Sequence, residues 1–137
     1  MAHEKVLAAI PLFSRLEEDD LERLGKSVVQ RKYAKGETIV KEGEQAVAFY
    51  VIVSGNVDMS KGGERVGGKR AGESFGEMSL LDGLPRSTTV VAAEDTECLV
   101  MTRWDFTAEL KSNPSIALSM LPELSKIIRR LEGDDIP

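Results

Sequence analysis

Cysteine and histidine are nearly absent from this sequence, which has one of each among 137 residues. The single cysteine, Cys98, excludes a disulfide within the chain and is typical of a protein from the reducing cytoplasm. The single histidine, His3, cannot form a histidine cluster for a catalytic metal ion. Because His3 lies close to the N-terminus, it is also a poor general base for a nucleophilic serine or cysteine. We therefore predict a cytoplasmic protein that binds without catalysis, with no metal site and no cofactor.

Long apolar runs and an excess of positive charge are also missing. The longest uninterrupted apolar run is Ala46–Val53, well short of the roughly 20 residues that span a membrane. Met1–Ile10 does not have the pattern of a signal peptide. The net charge of −5 disfavours binding to nucleic acid by this chain alone, because such binding depends on neutralising phosphates. The length and the 42% hydrophobic content fit one globular domain.

Glycine is concentrated in the middle of the chain, where the apolar period is two. Ten of the 12 glycines lie between Gly36 and Gly83, and they separate short segments that are typical of β-strands. This density of strands predicts a closed roll of two sheets over residues 30–102. The predicted strands are Val28–Tyr33, Thr38–Lys41, Ala48–Ser54, Asn56–Ser60, Glu64–Lys69, Ser87–Ala93 and Glu97–Thr102.

The N-terminal segment, residues 1–29, is predicted to be helical. An apolar stripe stops at Pro11, and a second helix is predicted over Asp19–Ser27. The acids at positions 17–20 fall at the start of that helix, where its dipole favours negative charge. An acidic contact surface is the other interpretation of the same residues.

The C-terminal segment, residues 103–133, is also predicted to be helical. Thr102 is a capping residue with Asp105 three positions later, and Asn113–Pro114 opens a second helix. Pro122 predicts a kink or a split in that second helix, because proline removes one backbone hydrogen bond. The first helix is expected to bury the face formed by Trp104, Phe106 and Leu110.

Residues 72–92 combine features that suit one kind of ligand. A glycine-punctuated turn is followed by a short helical segment that begins at Glu77, and a Gly–x–Pro break then delivers Arg86. Backbone N–H groups beside a guanidinium can hold a small anion. A carboxylate can only accept hydrogen bonds, so Glu77 requires a hydroxyl or amine donor. A singly charged phosphate joined to a sugar hydroxyl satisfies both requirements, and this combination describes a cyclic nucleotide.

Two motifs within this segment resemble a known family. Phe75–Leu81 and Pro85–Val90 are similar to the phosphate-binding cassette of cyclic-nucleotide-binding domains, as found in catabolite activator protein, protein kinase A regulatory subunits and cyclic-nucleotide-gated channels. The similarity extends from about Pro11 to the last helix. It implies an α+β, mainly β fold, in which an antiparallel jelly-roll-like β-roll carries the cassette between N-terminal and C-terminal helices.

The resemblance implies a role for individual residues. Glu77 is expected to accept the ribose 2′-hydroxyl, and Arg86 to bind the phosphate. Leu81 is either a core residue or a relay that moves when ligand arrives. The phosphate-binding set is Gly76, Met78, Arg86, Ser87 and Thr88, and the ribose-binding set is Gly76 and Glu77. A lid over the base is implied for Leu124, Ile127, Ile128, Arg129 and Leu131, although an apolar helix stripe is also typical of simple packing.

The functional expectation is a non-catalytic sensor that binds cAMP or cGMP, with cAMP favoured, and changes its helix packing to act on an unidentified effector protein. Ser87 leaves the base open, because relatives that prefer cGMP often carry threonine or serine directly after the cassette arginine. The alternatives are a ligand-binding fragment of a larger transcription regulator or channel, and a degenerate fold that serves only as an interaction module.

Overall fold

The computed structural model describes residues 2–133, within which the chain forms two four-stranded antiparallel sheets and flanking helices. The first sheet has the order β1-β8-β3-β6 and the second has the order β2-β7-β4-β5. The helices are α1 Ala2–Ala8, α2 Glu18–Ser27, α3 Glu77–Asp82, α4 Arg103–Ser112 and α5 Ser115–Leu131, with a 3₁₀ turn at Pro11–Phe13. The strands are β1 Val29–Tyr33, β2 Thr38–Val40, β3 Ala48–Ser54, β4 Asn56–Lys61, β5 Glu64–Arg70, β6 Ser74–Phe75, β7 Thr89–Ala92 and β8 Thr96–Thr102.

The two sheets enclose one of two apolar cores. Ile52, Val57 and Val90 are buried between the sheets, together with the Cys98 side chain. The second core lies between the outer face of the first sheet and the helices, where Phe13, Phe49 and Phe106 meet. Burying both faces of the first sheet explains why Ala46–Val53 is continuously apolar rather than alternating. The α+β roll with flanking helices is confirmed.

Hydrogen bonds connect α5, the last helix, to the N-terminal segment. Arg15 donates a hydrogen bond to the buried carboxylate of Glu123 on α5. At the start of α5, Ser115 Oγ donates to Asp20 Oδ2 over 2.8 Å, and Asp20 also pairs with Arg23. One of the acids predicted to cap α2 is therefore buried and joins two parts of the chain that are distant in sequence. Asp20 therefore does more than stabilise the start of α2.

Several local predictions need correction. Trp104 was expected in the core, but 62% of it is exposed, because Phe106 and Leu110 take the inward face of α4. Pro122 does not split α5, which runs continuously from Ser115 to Leu131, whereas the alternative of a kink stays a prediction. This continuity is possible because only one N–H bond is lost at a proline. β7 begins at Thr89, so Ser87 and Thr88 lie in the preceding loop, and the two-residue strand β6 has no signal in the local pattern.

Candidate functional site

The cassette forms one wall of a cleft of about 430 Å³, and the second sheet forms the other. A cleft of this size is within the range of small-molecule sites. The lining residues are Val40, Met59, Lys69, Ser74, Phe75, Gly76, Glu77, Met78, Asp82, Leu84, Pro85, Arg86, Ser87, Thr88 and Val90. Every residue predicted to bind the phosphate or the ribose is in this set.

Gly76 allows the chain to turn tightly between β6 and α3. Its φ of +86° is in a region that residues with a Cβ rarely adopt. A Cβ at this position would collide with Arg86 Nη1 and would lie 3.1 Å from the carbonyl oxygen of Ala48. The glycine therefore has two functions, since it permits the turn and it makes room for the guanidinium.

Glu77 is the first residue of α3, and its carboxylate is oriented by a neighbour. Ser74 Oγ donates a hydrogen bond of 2.6 Å to Glu77 Oε2. Ser74 is buried and Glu77 is half-buried, so the bond is partly shielded from water and orients the carboxylate. A carboxylate accepts several hydrogen bonds, so the one from Ser74 leaves capacity for a ligand hydroxyl. Sequence reasoning did not include Ser74, although the Ser-x-x-Glu spacing of a capping box is a signal that could have found it.

The backbone of Arg86 is fixed by the loop between β2 and β3. Its N–H donates to the carbonyl of Glu44 over 2.9 Å, and its own carbonyl accepts from the N–H of Gly43 over 2.8 Å. These two bonds hold the Cα of Arg86 at the edge of the roll. The position of the arginine thus depends on a segment about 40 residues earlier in the chain.

The side chain of Arg86 is half-buried and is supported by residues of β3. Its Nη2 donates to the carbonyl of Ala48 on β3, and its guanidinium carbon lies 5.6 Å from the ring centroid of Tyr50. That ring is stacked on Phe75 with a centroid separation of 4.8 Å. Burial lowers the pKa of Arg86 from its ordinary value, and the Glu77 carboxylate acts in the opposite direction. The guanidinium remains a fixed positive charge.

Charged residues outside the predicted set also line the cleft. Lys69 on β5 adds a second positive charge to the cleft. Asp82 at the end of α3 adds a negative charge in addition to that of Glu77. Asp82 Oδ1 accepts a hydrogen bond from the N–H of Leu84, which fixes the turn that leads to Arg86. The cleft therefore has cationic groups for an anion and separate acceptors for hydroxyl or amino groups.

The predicted lid residues do not lie in the cleft. Among the described residues that line it, none comes from α5. Leu124 packs on the core between the first sheet and the helices, whereas Ile128 is 56% exposed and Leu131 is 83% exposed. Ile127 is half-buried and Arg129 is exposed. A lid function for these five residues stays a prediction that requires α5 to move.

Residues 2–133 lack two other features that a functional site could use. In that range no group of three or more His, Cys, Asp or Glu side chains is placed to hold a metal ion. None of the helices there combines the length and the apolar character of a membrane span.

The Cys98 thiol is buried, and its burial raises its pKa to about 11. A thiol with that pKa is a poor nucleophile at neutral pH.

The fold is a β-roll, and one cassette carries both an arginine and a carboxylate that line its cleft. A family model matches the same part of the chain. Residues 30–113 match the model described as the cyclic nucleotide-binding domain. The chain belongs to this family.

The relatives include a protein kinase regulatory subunit and a cyclic AMP receptor protein. The chain is 39% identical over 99 residues to a cAMP-dependent protein kinase regulatory subunit of Mycosarcoma maydis, an alignment that covers 69% of this chain and 19% of that protein. It is 35% identical over 130 residues to the cyclic AMP receptor protein of Thermus thermophilus, covering 89% of this chain and 59% of that protein. The chain thus spans between about a fifth and three fifths of the length of these relatives.

A solved structure matches nearly the whole chain. The N-terminal domain of a transcriptional regulator from Streptomyces coelicolor A3(2) superposes with a TM-score of 0.87 at 25% identity, covering 96% of this chain and 99% of that one. The β-roll, the cassette and the flanking helices therefore occur together as a unit in another protein.

Proposed function

We propose that this chain binds a cyclic nucleotide, with cAMP as the favoured ligand, and acts as a sensor without chemical conversion of the ligand. The observation that carries the proposal is that Arg86 and Glu77 line the same cleft, one cationic and one able only to accept hydrogen bonds. The names of the relatives favour cAMP over cGMP. Cytoplasmic location is part of the proposal.

The phosphate is expected to bind at the end of the cleft where Arg86 lies. The guanidinium fork matches two phosphate oxygens, and the Ser87 hydroxyl and the backbone of Gly76, Met78 and Thr88 complete the set. The N–H groups in the first turn of α3 have no partner within that helix, so they can donate to the same anion. These groups neutralise and position a phosphate, and none of them is a general base aimed at phosphorus.

The ribose is expected to lie over α3. Glu77, held by Ser74, accepts the 2′-hydroxyl and so disfavours ligands in which that hydroxyl is missing or phosphorylated. A phosphate at the 2′ position would place like charges together, and a 2′-deoxy sugar would leave the carboxylate without a donor.

The proposed response is a population shift in the position of α5. The base lies beyond the cassette, and closure over it would bring Leu124, Ile127, Ile128, Arg129 and Leu131 towards the ligand. Such closure has to disturb the attachment of α5 to Arg15 and Asp20, or bend the helix near Pro122, where one backbone hydrogen bond is missing. Ligand binding is thereby coupled to helix packing, which an effector protein can detect.

Isothermal titration of the purified chain with cAMP and cGMP, in parallel, tests the proposal. We expect both to bind and cAMP to bind more tightly, with a higher melting temperature in the presence of ligand, because a ligand that binds the native state stabilises it. Absence of heat and of any melting shift with both nucleotides would reject the proposal. Equal or tighter binding of cGMP would reject the cAMP preference alone.

A second candidate is the ligand-binding part of a larger transcription regulator, which the likeness to the Streptomyces coelicolor domain favours. Reading the coding sequence on both sides of this segment tests the second candidate. An adjoining basic DNA-binding segment, with DNA affinity that changes with cAMP, would support it, and a frame without such a segment would reject it.

A further inference from the structure

The single tryptophan of the chain is on the surface. Trp104 lies in the first turn of α4 and is 62% exposed. Thr107, Ala108 and Lys111 follow it at spacings of three, four and seven, so these four residues share one side of the helix. Together with Arg103 they line a groove of about 370 Å³, called here the α4 groove. An exposed tryptophan beside a groove is typical of the anchor residue of a protein interface.

The charge of the α4 groove is opposite to that of the chain. Arg103 and Lys111 make it basic, whereas the net charge of the chain is −5. The acids of α4, Asp105 and Glu109, fall on the opposite flank of the helix, because successive residues are about 100° apart. A partner that carries acidic side chains is therefore attracted to this side of α4 and repelled by much of the remaining surface.

One wall of the α4 groove lies against the cassette. The guanidinium of Arg103 lies over Gly83, such that a Cβ added to Gly83 would be 2.8 Å from the guanidinium carbon. Gly83 has a φ of +67° and directly follows α3.

We propose that the α4 groove is a docking surface for an acidic segment of a partner protein, with an apolar side chain of that segment packed on Trp104. Arg103 and Lys111 pair with its carboxylates on the two sides of the anchor. The surface goes beyond the nucleotide-binding function, because its residues are not in the nucleotide cleft and its chemistry does not require a bound nucleotide. Two cationic residues are too few to make this face a nucleic-acid site on an acidic chain.

Selection from a displayed random-peptide library on the immobilised wild-type chain tests this proposal. We expect the enriched peptides to carry several Asp or Glu residues around one aromatic or aliphatic residue. Binding of a selected peptide should change the emission wavelength and the intensity of Trp104 fluorescence. Trp104→Ala and Lys111→Glu should each weaken its binding by about tenfold or more.

Controls separate the groove from general charge and hydrophobicity. Leu118→Ala removes another exposed apolar side chain, on α5, and Lys61→Glu reverses a charge at the end of β4, and both should leave peptide affinity unchanged. A peptide in which one acid is replaced by lysine should regain affinity for Lys111→Glu. All four variants change exposed residues, so their melting temperatures should stay close to that of the wild type.

Several results would overturn the proposal. These are enriched peptides without acidic residues, no enrichment at all, or unchanged affinity in both Trp104→Ala and Lys111→Glu. A concentration-dependent dimer that Trp104→Ala converts to a monomer would assign the groove to a second copy of the chain instead. Failure of nucleotide binding in titration would leave these results unaffected, so the two proposals fail separately.

Discussion

Replacing Arg86 by alanine is the most direct test of the proposed nucleotide site. The side chain lines the cleft, is half-buried, and is supported by the Ala48 carbonyl and the Tyr50 ring. Removing one partner of a buried, hydrogen-bonded charge pair costs about 2–5 kcal/mol of binding free energy. Because the guanidinium is only half-buried, we expect the lower part of this range, about 2–3 kcal/mol. This corresponds to a dissociation constant that is ~30-fold to ~150-fold higher.

The same substitution has a smaller effect on folding. It removes the hydrogen bond to the Ala48 carbonyl, worth about 1 kcal/mol, and the cation–π contact with Tyr50, worth about 0.5–1 kcal/mol. The backbone bonds of Arg86 to Gly43 and Glu44 do not depend on the side chain, so the loop should keep its position. We therefore expect a folded variant with a moderately lower melting temperature and a much weaker affinity for cAMP.

Isothermal titration with cAMP, with circular dichroism as a check of folding, measures both effects. Arg65→Ala is the matched control, because it removes an exposed arginine whose ion-pair partner is Asp58 and which does not line the cleft. Arg86→Lys should bind with intermediate affinity, because lysine keeps the charge but not the fork. Unchanged affinity in a folded Arg86→Ala variant would show that the phosphate does not bind at this residue.

Three further predictions test other parts of the structure. Glu77→Gln should weaken cAMP binding less than Arg86→Ala and should reduce discrimination against 2′-deoxy-cAMP in competition titrations; undiminished discrimination would remove Glu77 from the ribose site. Gly76→Ala should lower both affinity and melting temperature, by about 1–2 kcal/mol in stability, because of its positive φ and the collision with Arg86. The hydrogen bond from Arg15 lowers the pKa of Glu123. The ionised Glu123 therefore stabilises the folded state above the ordinary carboxyl pKa, and this stabilisation is lost as the pH falls through the lowered pKa. Thermal melts of wild type and Glu123→Gln between about pH 7 and about pH 3 should therefore converge at low pH, and a constant difference would refute this assignment.

Local signals predicted much of the fold and several of the residues that line the cleft. The period of two, the glycine-rich turns and the Thr102 cap act over a few residues, so strands and helices could be placed from short windows of sequence. The Thr102 hydroxyl does accept the N–H of Asp105, over 3.2 Å. The cassette residues are contiguous from Gly76 to Thr88, so finding the motif also found most of one wall of the cleft.

The opposite wall and the orientation of the helices were decided only by the tertiary structure. Met59 and Lys69 reach the cleft because β4, which forms a hairpin with β5, also pairs with the distant strand β7. A pairing between segments that are distant in sequence, such as β4 with β7, leaves no trace in local periodicity. Trp104 is exposed because Phe106 and Leu110 share the inward face of α4, and a rotation of about 100° per residue places Trp104 on the opposite side of the helix. The helical period alone could have corrected this prediction. Local sequence indicated which side chains have the chemistry to bind a phosphate and a sugar hydroxyl. Packing of the two sheets and α5 determined what faces those side chains and that the predicted lid lies away from them.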